Sequence, residues 1–300
     1  MTAQPETDSQ RNLKRGLGYG FSAYLIWGSF PIVIRSLGFA SSFEVVVWRI
    51  LFGMLLAVIL LTATKAWPAT IAVLKDKRKV GLLALCSGLI FINWQVYVIG
   101  IASGHIVESS LGYFINPLVT IVLAVFFQKE RLSPWQWTAV GLGALAVTVL
   151  TVDYGHLPVI ALSLAISFGF YGLVKSRIGG SISPLIGYSV ETGFLVPVAV
   201  VQGIVVASTG GLAIGTQGTW SWLGLLLFGF FTAIPLIMFG SAAKYLPLSW
   251  IGFMQYMTPT IQFITALTLF HEAMSPVRWV GFGIVWVGLA VLSIGMIRKR

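Results

Sequence analysis

Two ionisable side chains stand inside apolar runs of the sequence, where a charge is costly. Arg49 follows "FEVVVW" and Glu191 follows "LIGYSV", and each lies about eight residues into a stretch long enough to cross a bilayer. Because an arginine at the centre of a transmembrane helix costs roughly 2.5–3.5 kcal/mol, such a group is a candidate for function. Arg49 could anchor a carboxylate or another acceptor, and Glu191 could take a proton or an amine. A static salt bridge between two helices is the alternative.

A polar stripe runs along one predicted helix. His105, Glu108, Gly112 and Asn116 are spaced three, four and four residues apart, so they share one helical face. Since a polar face turned to lipid would be unfavourable, the stripe is predicted to point into the helix bundle. Together with Glu191, His105 and Glu108 are candidate proton-coupling groups, although Glu108 could instead be a carboxylate favoured by the dipole at the start of its helix.

Uncharged polar and aromatic side chains complete the predicted substrate-binding set. Asn93, Tyr97 and Gly100 share a face of one helix, and another helix carries amides and hydroxyls at helical spacing from Gln255 to Thr265. Such groups can hold a solute without burying charge, or they can join neighbouring helices, and the sequence leaves both interpretations open. The predicted substrate-binding residues are Trp27, Arg49, Asn93, Tyr97, Tyr113, Asn116, Tyr171, Glu191, Gln255, Thr258 and Gln262.

Two prolines, Pro117 and Pro259, fall near the middle of long apolar runs. Proline lacks the backbone N–H and frees a carbonyl group, which must then face protein or a water-filled cavity. Paired helix breaks in corresponding segments indicate a transport site. The alternative is a pair of kinks that only improve packing.

The elements that must position these residues are membrane helices. The 300 residues are 57% hydrophobic and 9% charged, whereas soluble chains carry about 25% charged residues. We therefore predict an all-α membrane protein with ten transmembrane helices. The predicted segments are 17–36, 43–64, 80–101, 104–127, 134–152, 157–174, 184–207, 219–241, 247–270 and 275–297.

The basic residues predict the orientation. All of the 19 lysines and arginines except Arg35, Arg49 and Arg278 fall on one side when the ten segments are threaded through a membrane. Cytoplasmic loops are enriched in lysine and arginine, so both termini are predicted to be cytoplasmic, with residues 1–15 as a tail. The same rule explains the net charge of +10 without a nucleic-acid partner.

One phrase occurs twice, as "FINPLVTIVLAVFFQKERLSPWQW" and "YMTPTIQFITALTLFHEAMSPVRW". A unit of five helices crosses the membrane an odd number of times, so its second copy is inverted. Inversion explains why the basic neighbours of Glu130 are missing around Glu272. The phrase predicts two inverted five-helix repeats, 16–152 and 153–300, an arrangement typical of secondary transporters. In both copies the serine before proline is predicted to cap the next helix.

Longer stretches carry a family resemblance. "YLIWGSFP", "INWQVYVIG", "SGHIVESSLGYFINPLV", "KERLSPWQW" and "SFGFYGLVK" resemble the EamA-type drug/metabolite transporter superfamily, and within it the RarD branch of chloramphenicol-sensitivity proteins. The resemblance covers nearly the whole chain beyond residue 15. It implies a ten-helix bacterial inner-membrane transporter of small organic metabolites or drugs.

The expected function is secondary transport by alternating access, with export favoured and proton coupling left open. The expected partners are a small-molecule substrate and the lipid bilayer, with no nucleic acid; the oligomeric state is not indicated. Asp8, Asp76 and Asp153 are scattered and no metal-ligand spacing occurs, so we expect no metal, no cofactor and no enzymatic activity. A channel-like facilitator and a non-transporting membrane sensor or scaffold are the alternatives.

Overall fold

The computed structural model describes residues 8–129, 132–178, 181–216, 218–246 and 254–298, and this part of the chain is helical without β-strands. Nine helices of the described residues are long and apolar enough to cross a membrane, with the first two helices counted as one span. The helices are α1 Asp8–Gly28, α2 Phe30–Ser36, α3 Ser42–Ala63, α4 Trp67–Lys75, α5 Lys77–Ala102, α6 Ile106–Gln128, α7 Pro134–Tyr154, α8 Val159–Ile178, α9 Pro184–Thr209, α10 Thr219–Tyr245, α11 Met257–Thr268 and α12 Pro276–Arg298.

The spans agree closely with nine of the predicted segments. The tenth, 247–270, lies partly outside the described residues, because the structure describes it only from 254 onwards, with α11 at Met257–Thr268. The ten-helix count therefore stays a prediction. Both serines that precede proline cap the next helix as expected: Ser133 accepts from the N–H of Gln136 in a capping box, and Ser275 accepts from Arg278.

The chain divides into two compact units, and each draws helices from both halves of the sequence. Unit 1 comprises residues 1–83 and 180–262, and unit 2 comprises residues 84–179 and 263–300. These units describe packing, whereas the predicted division into 1–15, 16–152 and 153–300 concerns order along the chain. The two inverted repeats stay a prediction.

Unit 1 is built around α3. This helix packs against α9 and α10, and α10 also packs against α1. A Cβ added at Gly229 would lie 2.5 Å from Cβ of Phe52 and 3.0 Å from the backbone nitrogen of Gly53. The α3–α10 crossing therefore depends on the absence of a side chain at Gly229.

Unit 2 pairs α6 with α8 and α7 with α12. A Cβ added at Gly112 would lie 2.7 Å from the carbonyl oxygen of Ala161, so α6 and α8 approach closely. Leu118, Ala139 and Leu292 form a buried cluster of the same unit. These close contacts set the positions of the polar side chains described below.

Candidate functional site

Arg49 is buried in the middle of α3 with 4% of its surface exposed. Its helix starts sharply because Ser41 accepts a hydrogen bond from the N–H of Glu44. The guanidinium carbon lies 5.5 Å from the ring centroid of Phe30 on α2 and 5.2 Å from that of Phe228 on α10. Two aromatic faces thus stabilise the buried cation through cation–π contacts.

The helix α9, which packs against α3, carries buried polar residues of its own. Tyr188, Glu191 and Thr192 of α9 are all buried, and Arg49 acts electrostatically on Tyr188. The hydroxyls of Tyr188 and Thr192 lie close to each other, at a geometry short of a hydrogen bond, and neither bonds to another described residue. Unit 1 therefore has a buried guanidinium on α3 near the buried Tyr188 of α9, and α9 also carries the buried Glu191 and Thr192.

Four residues near Arg49 or Glu191 were not among the residues predicted from the sequence. These are Phe30, Tyr188, Thr192 and Phe228. Tyr188 lies three residues before Glu191 and four before Thr192, so the spacing argument applied to the stripe of α6 would have linked Tyr188 to each of them. The two phenylalanines carried no such signal, because apolar residues surround them in the sequence.

Gln262 and Thr258 join α11 to α1 within unit 1. Pro31 lacks an N–H, so the carbonyl of Trp27, four residues earlier, has no helical donor. Gln262 Nε2 donates to this oxygen at 3.3 Å, and Thr258 Oγ1 donates to the carbonyl oxygen of Tyr24 at 3.2 Å. The break between α1 and α2 is thereby stabilised by two residues of the predicted binding set.

The remaining predicted residues of unit 1 occupy varied positions. Trp27 packs against Tyr24, with ring centroids 5.5 Å apart. Gln255 is exposed in the turn at 255–256, and Pro259 follows this turn as the third residue of α11. In unit 2, Pro117 does not interrupt its helix, because α6 continues through this residue.

In unit 2, Asn93 is the centre of a buried hydrogen-bond network. Its Nδ2 donates to the carbonyl oxygen of Leu164 and to Ser167 Oγ, both at 3.1 Å, while the hydroxyl of Tyr113 donates to its Oδ1 at 3.2 Å. The ring of Tyr97 meets that of Tyr113 edge to face at 5.6 Å. Asn93 therefore joins α5, α6 and α8.

The C-terminal half of α8 carries the last of the predicted aromatic residues, Tyr171. Tyr171 lies 5.7 Å from the Phe168 ring, and Lys175 Nζ lies 5.4 Å from the Tyr171 centroid. On the facing helix, Asn116 Oδ1 is a buried acceptor with no hydrogen bond from the described residues. The predicted substrate-binding residues thus divide between the units: unit 1 holds Trp27, Arg49, Glu191, Gln255, Thr258 and Gln262, and unit 2 holds Asn93, Tyr97, Tyr113, Asn116 and Tyr171.

Comparisons with known proteins decide the family. Residues 14–152 match the EamA-like transporter family. RarD of Streptomyces exfoliatus is 39% identical over 285 residues, which cover 95% of this chain and 90% of the relative. The chain belongs to the EamA-like transporter family, in its RarD branch. It is therefore a multi-pass membrane transporter protein.

Other relatives agree. RarD of Escherichia coli K12 is 34% identical over 94% of each chain, and an uncharacterized transporter of Bacillus subtilis, YojE, is 35% identical over 96% of each. A solved protein structure that is 17% identical superposes with a TM-score of 0.62 over 95% of this chain and 98% of the other. That likeness shows a shared fold.

In this EamA-like transporter, Glu108 holds the start of another helix. Its Oε1 accepts from the N–H groups of Ile160 at 2.9 Å and Ala161 at 3.4 Å, in the first turn of α8. The carboxylate thus meets the positive end of the α8 dipole, and Glu108 also lies in the first turn of its own helix, α6. His105 is exposed, and its Nδ1 lies 3.0 Å from Ser103 Oγ. Neither environment singles out a proton carrier.

Glu272 and Glu44 repeat this arrangement. Glu272 Oε2 accepts from the N–H groups of Ile106 at 2.8 Å and Val107 at 3.1 Å, at the start of α6. Burial raises the pKa of Glu272, and these two backbone donors oppose the increase. We refer to Glu44, Glu108 and Glu272 as the backbone tethers, because each carboxylate accepts from two consecutive backbone N–H groups of a different segment.

The Glu44 tether borders a cavity at one end of unit 1. Glu44 accepts from the N–H groups of Ala213 at 2.8 Å and Ile214 at 2.9 Å, and from Trp48 Nε1 at 3.1 Å. The cavity measures about 480 Å³ and is bounded by the segment before α3 and the segment after α9. Since the carboxylate binds the wall itself, we assign it to holding the loop rather than to solute binding.

Proposed function

We propose that this chain is a secondary carrier that moves a small organic metabolite or drug outward across the bacterial inner membrane by alternating access. The proposal includes ten transmembrane helices in two inverted five-helix repeats, with both termini cytoplasmic. One observation carries it: the side chain of Arg49 on α3 is buried, and α3 packs against a helix, α9, that carries buried polar residues of its own. Family membership supports carriage of a solute, and inverted repeats support alternating access.

Burying the charge of Arg49 costs free energy, and packing alone does not require a charged residue at this position. Leucine or methionine would pack between Phe30 and Phe228 without desolvating a charge. Ionisable groups in membrane spans mark substrate and ion pathways because of that cost. We assign Arg49 to a carboxylate or another acceptor of the solute, Glu191 to a proton or an amine, and the hydroxyls of Tyr188 and Thr192 to hydrogen bonds with the same solute.

Flux in proteoliposomes tests the proposal. The full chain, reconstituted and screened with a panel of metabolites and drugs, should show saturable transport that internal substrate stimulates. Arg49→Gln should abolish this transport, and Arg49→Lys should retain part of it because the positive charge remains. Arg35→Gln is the matched control, since Arg35 is exposed on α2. Non-saturable flux would establish a channel, and absence of flux across the panel with unchanged Arg49→Gln stability would favour a scaffold.

Proton coupling is assigned to Glu191 in preference to Glu108 or His105. Glu108 is committed to α8 through two backbone donors, and His105 is exposed. Burial favours the neutral form of a carboxyl group, so a buried carboxyl can couple proton binding to a change in its exposure to water. Glu191→Gln should flatten the pH dependence of transport, whereas Glu108→Gln should keep its shape. A flat profile in the unmodified protein would remove coupling altogether.

A further inference from the structure

A short helix between two membrane spans, α4, combines apolar and basic surfaces. It is not among the helices that can cross a membrane, and it lies in the connection between the predicted segments 43–64 and 80–101. Trp67, Ile71 and Leu74 expose 38%, 48% and 50% of their surface. Because they are spaced four and three residues apart, they form one apolar stripe along the helix.

The face of α4 next to this stripe fixes the position of the helix in unit 1. Thr70 and Val73 are buried at 3% and 7% exposure, and the helix packs against α9. The indole Nε1 of Trp67 donates to Thr62 Oγ1 of α3 at 3.0 Å. The apolar stripe is therefore held on a fixed helix beside its buried face.

Both connections of α4 are tight turns. Lys65 adopts a left-handed conformation with φ of 53°, and the N–H of Ala66 returns to the carbonyl oxygen of Leu61 at 2.9 Å. At the other end, Asp76 alone separates α4 from α5, and its Oδ1 accepts from the N–H groups of Arg78 at 3.1 Å and Lys79 at 3.2 Å. The segment 65–79 is thus a rigid corner.

This corner carries a dense positive charge. Lys65, Lys75, Lys77 and Arg78 are exposed. Lys79 pairs with Asp76 at 3.6 Å, so the pair is neutral and the four exposed cations account for the net charge. The enrichment of basic residues in cytoplasmic loops explains the sign of this charge. It does not explain the apolar stripe or the rigid support beside it.

We propose that the segment 65–79 is a binding site for anionic phospholipid headgroups. The stripe of Trp67, Ile71 and Leu74 enters the boundary between headgroups and acyl chains, and the exposed cations around Lys75 bind the lipid phosphates. An apolar face beside basic residues is the pattern of helices that lie in a membrane surface. An acidic protein partner would match the charge but would leave the stripe unexplained.

Lipid selectivity of the full chain tests the charge. In mixed vesicles, spin-labelled phosphatidylglycerol should associate with the protein in preference to spin-labelled phosphatidylcholine, and high salt should reduce the preference. The triple variant Lys75→Gln, Lys77→Gln, Arg78→Gln should lose about fivefold in relative association for each headgroup contact removed. The control Arg11→Gln, Lys14→Gln, Arg15→Gln removes the same charge from α1 and should retain most of the preference. Equal losses in both variants would overturn the proposal.

Depth measurements test the stripe independently. In a Cys86→Ala background, which removes the buried native cysteine, a spin label at Ile71→Cys should be accessible to oxygen dissolved in the bilayer. A label at Ala72→Cys, the neighbouring exposed position outside the stripe, should be accessible to a water-soluble relaxing agent. A water-exposed label at both positions would show that α4 does not enter the membrane surface and would overturn the proposal, whatever the result for transport.

Discussion

The side-chain amide of Gln262 donates a hydrogen bond to the carbonyl oxygen of Trp27 at 3.3 Å, which replaces the helical bond that Pro31 cannot make. The broken first span therefore depends on a residue more than two hundred positions away in the sequence. Lipid could not satisfy such a carbonyl, so a partner from another helix stabilises the break. The hydrogen bond also gives a way to distinguish a structural role from a solute-binding role for Gln262, one of the predicted site residues.

Gln262→Leu should lower the free energy of unfolding by about 1–3 kcal/mol, because a buried carbonyl loses its donor. Pro31→Ala restores a backbone N–H for the same oxygen, so the double variant should recover part of the loss, as a double-mutant cycle in detergent can measure. Gln255→Leu is the matched control, since Gln255 is exposed. Additive effects of Gln262→Leu and Pro31→Ala would contradict this role.

Tyr113→Phe should cost about 0.5–1.5 kcal/mol of stability, since it removes one hydrogen bond to Asn93. Asn93→Leu should cost more, because it also leaves Ser167 Oγ and the Tyr113 hydroxyl without their shared partner. If the network only joins helices, both variants lower the melting temperature and leave KM unchanged. A raised KM at unchanged melting temperature would instead assign Asn93 to the solute.

The pKa of Glu272 gives stability a pH dependence of defined sign. Burial raises this pKa, so between the ordinary glutamate value and the raised value the folded chain binds more protons than the unfolded chain. Stability then decreases as pH rises through that window. Glu272→Gln should remove this decrease in melting curves taken from about pH 4 to about pH 7. A decrease of the same size in the variant would contradict the assignment.

The pKa of Asp76 should give stability a pH dependence of the opposite sign. A backbone hydrogen bond from Lys79 is the main cause that lowers its pKa, so its stabilising contribution is present above the ordinary aspartate range and is lost as pH falls through the lowered value. Asp76→Asn should therefore reduce stability at neutral pH and converge with the unmodified protein in acid. Melting temperatures measured across that range decide the matter.

Gly229→Ala should destabilise unit 1 by about 1–3 kcal/mol, because the added Cβ meets Phe52 and the Gly53 backbone. Gly141→Ala is the control, since nothing lies within 4 Å of a Cβ added there. Detergent melting temperatures measure both. Equal stability of the two variants would show that α3 and α10 can separate without cost.

Sequence reasoning succeeded where the physics is local. The width of the bilayer sets the length of each apolar run, so Pro184–Thr209 was predicted as 184–207. The helix α4 was missed because its basic neighbours resemble a loop, although Trp67, Ile71 and Leu74 have helical spacing. The partners of Glu108 could not be predicted, because helix periodicity says which face a residue occupies and not which helix meets it.

The three backbone tethers have a consequence for how this chain can diverge. Each glutamate accepts hydrogen bonds from backbone N–H groups, so these bonds do not depend on which side chains the donor residues carry. At Ala213 and Ile214, which lie in the loop after α9, the side chains can therefore change while the anchorage persists. Proline is the residue these positions must exclude, since it has no hydrogen to offer.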